Sequence, residues 1–288
     1  MITLASECYP CFFRQADLAA RAHGAPETLR LALAGRIASM LHALPAGRPP
    51  AALASDLQAT IRETLGADDP FHALKRRELA RFGETSRRAL DFVSASPDPL
   101  AAAVGLAALA NIMDSGIIDD AQKDREIARI EEMAAAFVLP ESFRTQVGRA
   151  RTVGVLLDNA GEAAFDVPLL AWLNRAGKRV WIAAKGGPVI DDLTIDEARE
   201  IGLQQYGELF SNGNRAIGTD LAQCPPEFRE RLHAADLVLS KGQGNFETLS
   251  GKLSNGWFLL RCKCPVISRA VGRPEGELLL IESASAQA

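Results

Sequence analysis

The sequence predicts an α/β protein: a three-layer α/β/α arrangement around a mainly parallel, Rossmann-like sheet, preceded by an all-helical N-terminal region. Three observations predict it. From Cys8 to about Ala150 the chain carries helical stripes rich in Ala, Leu and Arg, with no convincing strand. After that point short apolar runs alternate with segments of helix length, the pattern of parallel strands joined by crossover helices and covered on both faces. Those runs stop on acids, amides and lysines, at the sheet edge where open α/β folds bind ligands. The change of pattern divides the chain into a helical domain, 1–150, and an α/β domain, 151–288.

Each element has a local cause. Pro10 suits the first turn of a helix that runs from Cys8 to Gly24, and Pro26 restarts the next, which ends before Pro45. Beyond the proline-rich loop 45–50, Leu53, Leu57, Ile61 and Leu65 recur at intervals of four and mark one apolar helical face, which Gly66 closes. Asp69 and Pro70 open a longer charged helix through Lys75, Arg76 and Arg77 toward Phe92. Pro97 and Pro99 introduce a helix so apolar, up to Asn111, that it should be buried. The strand-like runs are 152–157, 179–184, 203–210, 236–240, 257–262 and 277–281. Between most of them lie helical segments 162–176, 194–201, 226–235 and 245–253; Thr194 and Glu197 have capping-box spacing. The small-residue tail from Ser283 should fray.

Bulk properties exclude several classes. A chain of 288 residues that is 48% hydrophobic can bury a substantial core. Its net charge of -4 offers no basic footprint for nucleic acid. No run reaches the roughly 18 apolar residues of a membrane span, and the N-terminus lacks signal-peptide character, so a cytoplasmic protein is expected. Five cysteines, an odd and sparse set, fit reduced thiols better than a disulfide framework. Composition sets no oligomeric state.

The strand ends supply the chemistry. Asp158 and Asn159, Lys185, Asn212, Lys241 with Asn245, and Lys263 fall just past successive strands, and the loop 185–192 adds Asp191 and Asp192. Acids and lysines on one rim can hold a divalent cation and an anionic group together, as phosphoryl chemistry requires. In the run 241–249, KGQGNFETL, Gly242 and Gly244 let backbone amides approach an anion where Asn245 starts a helix. It is not a Walker loop, because the lysine precedes the glycines. The competing readings are a solvated turn with a helix cap at Asp158 and Asn159, and a structural turn with Lys241 in solvent. Glu162 and Asp166 read as partners of the site residues or as favourable charges in a first helical turn, and Asp220 reads as a turn cap. Cys8 and Cys11, three apart on a helix, read as small core residues, a redox pair or metal ligands. His23, His42, His72 and His233 fall in predicted helices away from the strand ends, which disfavours zinc there.

Taken together, DNAGE at 158–162, KGGPVIDDLT at 185–194, ADLVLSKGQGNFETL at 235–249 and RCKCPVIS at 261–268 resemble the DUF89 family of metal-dependent damage-control phosphatases. CYPC at 8–11, DPFHALKR at 69–76 and ANIMDSG at 110–116 extend the likeness over nearly the whole chain, closest to the compact prokaryotic branch with an N-terminal CxxC. The resemblance implies metal ligation by Asp158, Asn159 and Asp192, and phosphate contacts from Lys241, Asn245 and Lys263. Gly242 and Asn111 join the implied substrate-binding set, with Asp158, Asp192 and Lys241 as the catalytic residues. Two positions depart from the family pattern: Asp191 stands where asparagine is frequent, and Ala110 where glycine usually precedes Asn111. Hard oxygen donors suit Mg2+ or Mn2+, with Co2+ or Ni2+ as alternatives. The expected activity is metal-dependent hydrolysis of small phosphorylated metabolites, sugar phosphates or damaged phospho-cofactors, by an activated water, with a covalent aspartyl-phosphate at Asp158 as a variant. Arg14, Lys75 and Arg76 are candidates for added positive charge over the rim. Two rivals stand beside this reading: a non-catalytic phosphometabolite sensor, and a carboxyl methyltransferase, which would want clustered glycines after the first strand.

Overall fold

The computed structural model describes residues 2–42, 48–110 and 120–283. Three helices, α1 (Cys8–Ala22), α2 (Glu27–His42) and α3 (Pro50–Leu65), pack around a small core of their own that includes Phe12, Leu33, Ile37, Leu57 and Ile61. Gly66 ends α3 in the left-handed conformation, φ 63°, which glycine adopts without steric cost.

The charged segment after Asp69 forms two helices rather than the single long one expected. The first, α4 (His72–Leu79), lies against the turn that follows the first strand; the second, α5 (Phe82–Ala95), packs on a crossover helix. The chain bends at Ala80 and Arg81 because these two stretches bury against different partners, a tertiary demand that overrides helix propensity. Next come α6 (Pro99–Leu109), α7 (Asp120–Ala135) and α8 (Glu141–Arg149). The Asp98 carboxylate caps α6 by accepting from the Ala101 amide at 3.1 Å, and residues 100–109 are all buried, as their composition requires.

The sheet contains β1 (Thr152–Leu156), β2 (Arg179–Ala184), β3 (Glu208–Ser211), β4 (Leu237–Lys241), β5 (Gly256–Arg261) and β6 (Leu278–Glu282), in the order β3-β2-β1-β4-β5-β6. All neighbours pair in parallel except β6, which returns antiparallel on β5. The connecting helices are α9 (Ala163–Arg175), α10 (Ile195–Glu200), α11 (Pro226–Ala234), α12 (Gln243–Leu249) and α13 (Pro265–Val271). Strand alternation sorts the side chains into two cores. Val153, Val155, Ile182, Leu237 and Leu239 face α5, α6 and α9, whereas Leu156, Trp181, Val238, Phe258 and Leu260 face α11, α12 and α13. The first of these cores runs across residue 150: helices on the N-terminal side of it form one layer of the α/β/α stack.

Two element boundaries differ from expectation. The run 203–210 begins as a 3-10 turn, Leu203–Gln205, entered through the left-handed Gly202, and pairs as β3 only from Glu208. Helix α12 starts at Gln243, so Asn245 sits inside its first turn. Thr194 and Glu197 form both bonds of the expected capping box on α10. Among the described residues no helix is long and apolar enough to cross a membrane.

Candidate active site

The strand order reverses direction between β1 and β4, the kind of switch point at whose carboxyl edge open α/β sheets hold ligands. Asp158 and Asn159 follow β1, while Lys241 ends β4. The loop after β2 is drawn to the same place by backbone pairing. Leu193 donates to the Asp158 carbonyl at 2.9 Å and Ala160 to the Asp191 carbonyl at 2.8 Å, forming a bridge between Asn159 and Asp192. Asp158, Asn159 and Asp192 are thus brought together by main-chain bonds, although 33 positions separate Asn159 from Asp192 (192 − 159). Ile190 in that loop has φ 45°, a strained value for a β-branched residue, and packs against the α1–α3 core.

The carboxylates crowd each other. Burial, then the negative charges of Glu162 and Asp192, raise the Asp158 pKa well above the usual carboxylate range, against the pull of Lys263 and Lys241. Asp192 is raised by burial and opposed by Lys185, whose Nζ lies 3.2 Å from its Oδ2. Lys185 is itself buried, donating to the Ala216 carbonyl at 2.8 Å and to the Gly218 carbonyl. Gly242 fits closely under this group: with φ 84°, it lies so near Asp158 that a Cβ would come within 1.9 Å of Oδ2. The glycine is required by the neighbouring carboxylate as well as by its own backbone.

Lys241 is buried between two acids, its Nζ 2.7 Å from Glu162 Oε2 and 2.6 Å from Asp166 Oδ1. Burial alone would lower its pKa; Asp166 and Glu162 outweigh that and raise it, so the ammonium stays charged. Burial in turn pushes Asp166 up to about 7. Glu162 also accepts from Asn159 Nδ2 at 3.1 Å. Asn245 spans the strand ends, donating to the Lys241 carbonyl at 2.8 Å and the Leu157 carbonyl at 3.4 Å, while its Oδ1 accepts from Thr219 at 2.8 Å. Its amide is therefore engaged in tying β1 to β4. Lys263 is exposed at the rim, its backbone amide held by Gln243 Oε1 at 3.2 Å.

Other expected residues fall elsewhere. Lys75 is not a rim charge: it is completely buried, with Asp69 and Glu197 each 2.9 Å away, because its helix turns it inward toward α10. Arg76 pairs with Glu200 at the surface, and Arg14 is exposed on α1. Asn212 accepts from the Gly186 and Asn214 amides, each at 3.1 Å, and shapes the loop. Asp220 caps its turn through the Ala222 amide at 3.1 Å. Asn111 lies outside the described residues. Cys8 is buried at the start of α1, Cys11 is half-buried, and both thiols are pushed up, chiefly by burial, with Cys264 and Glu247 among the neighbouring charges. Glu162 and Asp166, which sequence reasoning left in supporting roles, and Lys185, which it placed among the strand-end residues, make the ion pairs to Lys241 and Asp192; their signal was their position just beyond strand ends or in the first turn of α9.

The donor set suits a hard divalent cation. The Asp158 and Asp192 carboxylates lie close enough to repel each other, Asn159 is bridged to Asp192 through its backbone, and like-charge crowding at Asp158 is what a cation would relieve. Among the described residues no cluster of three or more His, Cys, Asp or Glu side chains has metal-holding geometry; an ion here would draw on two acids plus Asn159.

Comparison with known proteins places these features. A curated damage-control phosphatase from Pyrococcus horikoshii is 32% identical over 240 residues, covering 81% of this chain and 82% of the relative. A damage-control phosphatase from Archaeoglobus fulgidus is 31% identical over 238 residues, 79% of this chain and 80% of that one. The crystal structure of a DUF89 family protein from Pyrococcus horikoshii matches with a TM-score of 0.86 at 28% identity, covering 98% of this chain and all of the other. The family model described as the damage-control phosphatase ARMT1-like domain matches residues 4–279, and with the fold and most of the chain accounted for in this way, the protein belongs to that family.

Proposed function

We propose that this protein is a metal-dependent phosphatase that hydrolyses small phosphorylated metabolites in the cytoplasm. The observation that carries the reading is the meeting of Asp158, Asn159 and Asp192 at the β1/β4 switch point, beside the charged lysines 241 and 263. Relatives named as damage-control phosphatases over about four-fifths of the chain support it.

A divalent ion, Mn2+, Mg2+, Co2+ or Ni2+, held by Asp158, Asn159 and Asp192 would supply Lewis-acid polarisation of the phosphoryl group. The chain's own residues do the remainder. Lys263 at the rim offsets charge on the phosphoryl oxygens. Lys241, buried and permanently charged, balances the acids beneath the site. A carboxylate at Asp158 or Asp192 orients the attacking water and takes its proton.

The test is phosphate release from a panel of phosphomonoesters with each of the four ions, followed by chelator. Wild-type protein is expected to turn over with at least one ion and to stop on chelation. Asp158→Ala and Asp192→Ala are expected to lose metal-dependent turnover while keeping the wild-type circular dichroism spectrum. Turnover at the wild-type rate in either variant, or none in the wild type with any ion, would overturn the reading; the latter would favour a sensor.

A further inference from the structure

We propose that Glu162 is the positioning residue of this site: its two carboxylate oxygens fix the orientation of the Asn159 amide on one side and of the Lys241 ammonium on the other. The inference rests on the metal-site reading above and assigns a role to a residue that neither binds the ion nor touches substrate.

The argument begins with what an asparagine offers. Its amide has one oxygen and one nitrogen on opposite arms, and only the oxygen can ligate a cation. Which arm faces the site is set by what the other arm touches. A carboxylate can only accept, so Glu162 Oε1, 3.1 Å from Asn159 Nδ2, selects the nitrogen and directs Oδ1 away from itself. The second oxygen, Oε2, takes the Lys241 Nζ at 2.7 Å, where Asp166 joins at 2.6 Å. All three charged side chains are almost completely buried, so water cannot substitute for a lost partner.

A side chain that accepts on both sides is what the position requires. Glutamine has the same shape but only one accepting oxygen. If that oxygen serves Lys241, the glutamine nitrogen faces Asn159, whose amide must then turn its own oxygen inward and present nitrogen to the ion. If it serves Asn159, an amide nitrogen confronts the ammonium. Aspartate keeps the charge but is one methylene too short to reach both partners. A role in net charge alone would tolerate Glu162→Asp; a role in orientation would not.

The experiment is Mn2+ titration of the metal-free full-length protein by calorimetry, independent of turnover. Both Glu162→Gln and Glu162→Asp are expected to weaken Mn2+ binding, Glu162→Gln by about 10–100-fold as for other partners of metal ligands. Asp166→Asn, which touches Lys241 but not Asn159, should stay within about threefold of wild type. The decisive variant is the double substitution Asn159→Asp with Glu162→Gln. It keeps the total charge and restores both bonds in reverse, since the glutamine nitrogen donates to the new carboxylate while its oxygen accepts from Lys241. It should bind Mn2+ more tightly than Glu162→Gln alone, and by more than Asn159→Asp strengthens binding in the wild-type background, since only the double variant gains the reversed bond along with the charge. Unchanged affinity in Glu162→Gln, a loss in Asp166→Asn equal to that in Glu162→Gln, or a double variant no tighter than the single one would overturn the assignment. If Glu162→Gln fails to fold, comparison of Glu162→Asp, Asp166→Asn and wild type decides on its own. Wild-type protein that binds none of the four ions would instead sink the metal-site reading, a separate outcome.

Discussion

At the residue scale, the tightest constraint on the site falls on Gly242. Its φ of 84° and ψ of 158° belong to a region essentially reserved for glycine, where another residue costs about 1–3 kcal/mol. The approach of the Asp158 carboxylate adds a second restriction, since a Cβ would overlap Oδ2. Gly242→Ala is therefore expected to lower the denaturation midpoint and to abolish Mn2+ binding together, because Asp158 must move; a variant that lost stability but titrated Mn2+ normally would disconnect the two. How far the site could be read from sequence follows from which contacts are main-chain in origin. That the segments carrying Asp158, Asn159 and Asp192 come together was legible, because the chain after parallel strands gathers at one sheet edge. Glu162 and Asp166 were legible as partners of the site residues, but that they pair with Lys241 was not, because it depends on how the 3-10 turn Ala160–Glu162 aims a side chain into the interior. Lys75 misled for a related reason: a charged segment carries no sign of which lysine is turned inward to meet two acids.

At the scale of elements, the sheet's inner face is shaped by a glycine with no Cβ to spare. Gly154 in β1 lies beneath the indole of Trp181 on the paired strand, and a Cβ there would come within 2.3 Å of the ring. Gly154→Ala should cost roughly 1–3 kcal/mol by overpacking. A urea titration should show a lower midpoint with unchanged slope; a midpoint equal to wild type would mean that the indole can step aside. The strands β1, β2, β4 and β5 were legible as apolar runs because they are buried on both faces. The run 203–210 misled because Leu203 and Tyr206 extend its apolar character into a turn, while Gly207 lies against the Val180 carbonyl. The division between α4 and α5 at Ala80 and Arg81 had only Gly83 beside it as a signal, and that glycine lies inside the first turn of α5. The antiparallel sense of β6 was equally silent, since strand alternation is the same in either direction.

At the scale of the whole molecule, the two halves named by sequence pattern share a core. Val93, Leu106 and Ile130 belong to the same apolar cluster as Val155, Ile182 and Leu239, so one face of the sheet is covered by helices from the N-terminal half. A fragment of residues 151–288 would expose that face, and a large uncovered apolar surface favours aggregation or a loosely packed state. The fragment is expected to lack a cooperative thermal transition that the full chain shows; a sharp calorimetric peak from the fragment alone would contradict the shared core.

The α1–α3 bundle stands in a different relation to the sheet. Ile190 and Ile217 hang from the loops after β2 and β3, Val266 lies in the first turn of α13 after β5, and all three rest on that one bundle. Ser55 on α3 reinforces the contact by accepting from the Ile217 amide at 3.0 Å. Segments that follow three different strands thus rest on a part of the chain that carries none of the strand-end acids and lysines. A shift in α1 or α3 would therefore move three segments at once while the residues that end β1 and β4 stay fixed in the sheet.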